Sequence, residues 1–118
     1  MSYDQSPQQY AEQAAEAVRA LNHVTLGPDA YEWPSDVDRV IADLHLTVMR
    51  LEQAFTQAGR WLERAEVAGE VGHDQGHDIY PTIACVVQRL EQAGTASRWL
   101  AEDLDAVRQI TAHLTGTA

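Results

Sequence analysis

The sequence predicts an all-α fold: an antiparallel helical bundle with two long heptad-patterned helices and one short N-terminal helix. Apolar residues recur in alternating steps of four and three along two stretches, about 35–68 and 79–115. Capping signals open each helical stretch, and a glycine-rich polar segment separates the two long ones. At 118 residues, the chain is expected to fold as a single domain, 1–118.

The first helix, about 7–24, opens on Ser6-Pro7-Gln8-Gln9. Ser6 can cap, Pro7 suits the first helical position, and Gln9 can return a bond to the cap. Tyr10, Ala14, Val18 and Leu21 follow at helical spacing. Gly27-Pro28 and Trp33-Pro34 then mark a loop. Trp33 there either seals the end of the bundle or presents a ligand, and sealing is the preferred reading.

A second capping box, Ser35 with Asp38, opens the helix at 35–68. Its seam runs Val37, Ile41, Leu44, Val48, Leu51, Phe55, Ala58, Leu62, Ala65. Gly69, Gly72 and Gly76 punctuate the turn, and Asp78 can cap the third helix, with Pro81 tolerated in its first turn. The third seam runs from Ile79 through Ile83, Val86 and Leu90 to Val107, Thr111 and Leu114, with a weak middle at Gly94 and Ser97.

Unbroken, each long helix would measure about 50 Å, whereas a compact chain of this size has a diameter near 35 Å. The molecule is therefore elongated or kinked at Gly59 and Gly94. Folding back near Asp74 sets Gly94 opposite Phe55, which gives the glycine a packing role and favours the elongated form. Val40, Val87, Ala96 and Ile110 widen the stripes, and Trp61 and Trp99 lie off the seam. A stripe this broad must meet more than one helix. The first helix is expected to cover one length and a second copy the rest, as a homodimer; the alternative is a closed monomeric bundle. Trp33, Trp61 and Trp99 are the candidate interaction residues.

Eighteen acids against eight bases give a net charge of −10. That balance argues against direct nucleic-acid binding and against an anionic membrane surface, both of which need a positive field. It suits a basic protein partner. No apolar run approaches the length of a bilayer span, and Met1 to Ser6 carry neither a charged n-region nor an apolar core, so a cytoplasmic location is expected. The single cysteine, Cys85, excludes an internal disulfide and is expected to be an inert core thiol.

Candidate chemistry is sparse, and no cofactor is expected. His73-Asp74 and His77-Asp78 pair imidazole with carboxylate at a spacing that suits a transition metal, although a glycine-rich turn lacks the rigid projection such sites use. Glu63-x-x-Glu66 and Glu102-x-x-Asp105 resemble by type the magnesium-holding pairs of MazG-type pyrophosphohydrolases. An antiparallel hairpin, however, places them about 25–30 Å apart, too far to share metals. Arg108 and His113 match the R-x4-H spacing of HEPN ribonucleases. That resemblance implies a dimeric cleft in which the arginine engages phosphate and the histidine assists 2′-oxygen chemistry. Gln109 departs from the family pattern, and Glu102, Asp103 and Asp105 make a poor field for RNA.

The chain as a whole resembles uncharacterised small all-helical proteins of high-GC actinobacteria. The resemblance rests on Ala20-Leu-Asn-His23-x-Thr-Leu26, the long heptad helix and Val71-Gly-His73-Asp74, and it implies no activity. The expected function is a non-enzymatic, self-associating helical protein–protein interaction module. The alternative is a HEPN-like or metal-dependent hydrolase.

Overall fold

A computed structural model describes residues 3–117. Met1, Ser2 and Ala118, which the sequence reading included in the domain and its start, lie outside the described residues. The described chain forms three helices: α1 Pro7–Val24, α2 Pro34–Val67 and α3 Ile79–Thr111. The two long helices pack against each other as an antiparallel hairpin, and the described chain measures 65 × 30 × 27 Å with a radius of gyration of 19.1 Å.

Local chemistry accounts for most helix ends. At α1, Gln9 N–H donates to Ser6 Oγ while Ser6 N–H donates to Gln9 Oε1 at 2.8 Å, a reciprocal capping box. The start of α2 differs from expectation. Trp33 rather than Ser35 is the N-cap, Pro34 takes the first position, and the Asp36 carboxylate accepts from Trp33 N–H at 2.9 Å. Asp38 is thereby released from capping.

Helix α2 ends in a Schellman motif: Glu70 N–H donates to the Ala65 carbonyl and Gly69 N–H to that of Glu66. The motif requires a left-handed residue, and Gly69 supplies it at φ 72°. Asp78 occupies the N-cap of α3, but its side chain makes no capping bond. Helix α3 stops at Thr111, short of the expected residue 115, and the tail turns away. Its Gly116 lies under Trp33, where an added Cβ would come within 2.8 Å of the indole Cε3. This tail contact ends the seam before Leu114.

The hairpin folds back around Asp74. Glu52 pairs with Arg98, Asp38 with Thr111 and Arg108, and Gly59 lies against Val87 and Leu90. Gly94 meets the Glu52 side chain, where an added Cβ would come within 3.1 Å of Cγ. The expected partner Phe55 is therefore replaced by the residue one turn earlier. Both glycines serve close approach inside unbroken helices.

The core is thin. Ile83, at 6% exposure, is the one large apolar residue among the buried described ones, joined by Ala65, Ala101, Gly59, Gly94 and Ser97. Cys85 is exposed rather than buried, because it lies on the side of α3 away from α2. Helix α1 buries none of its residues, and none of its Cα atoms lies within 8 Å of one in α2 or α3. The expectation that α1 covers one length of the hairpin is corrected by this spacing. Ala14, Ala17, Val18 and Leu21 instead face Val40, Asp43, Leu44 and Thr47 across an open groove of about 310 Å³.

Candidate interaction surfaces

The candidate catalytic pair straddles the end of α3. Arg108 is half-buried in the last turns of α3, and its Nη2 lies 3.4 Å from Asp38 Oδ2. Its Nε is buried without a hydrogen-bond partner among the described residues. Asp38 also accepts from Thr111 Oγ1 at 2.6 Å. The Thr111 hydrogen bond, chiefly, and then Arg108 hold the Asp38 carboxyl below its ordinary value of 3.8, against the opposing effect of burial. Arg108 is thus engaged as a structural counter-ion. His113 lies beyond α3 in the following turn and is exposed, so the two residues do not share a helix.

The candidate metal ligands are gathered at the hairpin tip, but not as a cage. The His73 and His77 rings face each other with centroids 4.4 Å apart. His73 Nδ1 accepts from Gln75 N–H at 3.0 Å, which occupies that lone pair. Asp74 is almost fully exposed at 3.7 Å from His73. Asp78 sits apart at the start of α3. Among the described residues, no three His, Cys, Asp or Glu side chains are grouped to hold a metal ion. Glu63 and Glu66 lie towards the tip, whereas Glu102 and Asp105 line a groove against the first half of α2.

Apolar surface dominates what remains. Trp61 and Trp99 are 59% and 65% exposed, and Trp33 is 52% exposed despite its contact with Gly116. Leu51, Leu100, Val107 and Ile110 are open as well. The total accessible surface is 9441 Å². A compact monomer of 13.1 kDa exposes about 6400 Å² by the usual mass scaling, so the excess is roughly 3000 Å².

The seam itself explains this excess. α3 is seated on a line of α2 marked by Asp38, Glu52 and Gly59, to one side of the apolar stripe. Leu51 and Ala58, which the periodicity placed in the seam, are left open. The sequence signal that could have shown this is the second heptad series Asp38, His45, Glu52, Gly59 and Glu66, polar or small throughout.

On the side of the Glu52–Arg98 pair, His45, Met49, Glu52, Arg98, Glu102 and Asp105 line an open groove of about 430 Å³. Among the described residues, no helix is long and apolar enough to cross a membrane. No protein-family model, curated protein or solved structure matches the chain.

Proposed function

We propose that the protein is a non-enzymatic helical protein–protein interaction module that works as a homodimer. The observation that carries the reading is the surface excess of roughly 3000 Å², against the ~800 Å² per partner that a stable interface needs. A hairpin whose buried large residues amount to Ile83 has too little interior to account for two seams this apolar. The acidic groove around Glu52, Glu102 and Asp105 suits a second partner with a basic face, because opposite potentials steer association. Trp61 and Trp99 add exposed aromatic anchors, of the residue type that dominates binding energy at interfaces.

The test is absolute mass by light scattering at two protein concentrations. The expected result is twice the chain mass of 13.1 kDa at both. A monomer at both concentrations overturns the reading.

A further inference from the structure

The dimer interface can be located on one face of the hairpin. This inference rests on the self-association proposed above. From the line on which α3 touches α2, a turn of about 80° at ~100° per residue reaches the series Leu44, Leu51, Ala58. On α3, the line of contact passes through Gly94, Ala101 and Arg108. The same turn there reaches Ala93, Leu100 and Val107. Equal turns in the same sense on antiparallel helices arrive at the same side of the pair. Leu51 and Ala58 therefore share one face with Leu100 and Val107, and all four are exposed.

Charge identifies the occupant. The chain carries −10, so two copies repel wherever acids meet. Between Val40 and Ala65, this side of α2 carries no charge, and among the described residues the matching side of α3 carries Arg89 and Asp103, which cancel. A basic partner would find no net negative charge here to meet its own. The opposite face holds Glu52, Glu102 and Asp105, and Trp61 and Trp99 point to the outer edges by the same geometry. Ala54, Ala58, Ala93 and Ala96 also let backbones approach closely.

We infer that a second copy of this chain docks on the face formed by Leu51 and Ala58 of α2 with Leu100 and Val107 of α3, beyond the part of α2 that faces α1, making a four-helix core from two hairpins. The acidic face and the tryptophan edges stay outside this core.

Ala58→Glu and Leu100→Glu test the assignment, with Gln53→Glu and Thr95→Glu adding the same charge on the opposite face. All four positions are exposed in the single chain, and glutamate is a good helix former, so the hairpin is expected to keep its far-ultraviolet circular dichroism. Light scattering is expected to give monomer mass for the first two variants and dimer mass for the controls.

A second readout does not depend on the charged variants folding. In a Cys85→Ser background, thiol labelling of Ala58→Cys is expected to slow at least tenfold as concentration rises through dimerisation, while that of Gln53→Cys stays constant. If the glutamate variants remain dimers and Ala58→Cys labels at one rate throughout, the face is wrong although self-association stands. A monomeric wild type would instead remove the underlying reading. Should Ala58→Glu fail to fold, the labelling comparison alone decides.

Discussion

Thr111 Oγ1 donates a 2.6 Å hydrogen bond to Asp38 Oδ1, tying together residues 73 apart in sequence at the open end of the hairpin. Arg108 approaches the other carboxylate oxygen at 3.4 Å. The three side chains fasten the ends of α2 and α3 where the tip loop no longer constrains them.

This clasp carries a pH dependence of known sign. The Asp38 carboxyl is held below its ordinary value, by Thr111 chiefly and by Arg108. A depressed carboxyl contributes stability that is present above the unfolded value and lost as pH falls through the folded one. Asp38→Asn is therefore expected to lower the melting temperature at pH 7. The gap from wild type should shrink progressively below pH 3.8. Thermal melts at pH 7 and pH 2.5 check this, and an undiminished gap at low pH contradicts it.

Gly94 lies against the Glu52 side chain in the middle of the seam. Gly94→Ala gains helix propensity of about 1 kcal/mol but forces the Glu52 stem away from a 3.1 Å contact. The single variant is expected to lie within about 0.5 kcal/mol of wild type. In an Glu52→Ala background the gain should appear in full, as a coupling of roughly 0.5–1 kcal/mol in a double-mutant cycle by urea denaturation.

Ile83 is the test of the core near the tip. Truncation to alanine is expected to cost about 2–4 kcal/mol, because the side chain is buried between α2 and α3. Val107→Ala at an exposed site should cost under 1 kcal/mol in the single chain and more at concentrations that favour the dimer. Denaturation at two protein concentrations separates the two behaviours.

Helix α1 is expected to be the least protected element in amide hydrogen exchange. It buries no residue, and an isolated 18-residue helix is marginal in water. Protection of Ala14 to Leu21 that matches the middle of α3 at low protein concentration would contradict its separation from the hairpin.

The fold class and the antiparallel register were legible because heptad steps and a glycine-rich turn are local signals. Gly69 shows why: the chain needs a left-handed residue to close α2, and glycine meets that need cheaply. The side of the stripe that α3 would occupy was not legible. Periodicity marks an apolar face without naming its partner, and the helix chose the line of Asp38, Glu52 and Gly59. The role of Asp38 was misread as capping, since its real partners, Thr111 and Arg108, come from the far end of the chain. The same distance hid the Trp33–Gly116 contact. Of the candidate residues, the tryptophans gave their exposure away only in part: lying off the seam predicted spare surface, but not that two of them would sit on outer edges.

The turn centred on Asp74 also sets an order of assembly. Partners near it, such as Ile83 with Glu63 and Glu66, are joined by a short length of chain, whereas Asp38 and Thr111 are joined by 73 residues. Closing loops outward from the tip keeps each new entropic cost small, because every added turn extends a loop already shut. The hairpin is therefore expected to zip from Gly69–Gly76 towards Trp33 and to open in reverse, with the Asp38 clasp as the first tooth to part.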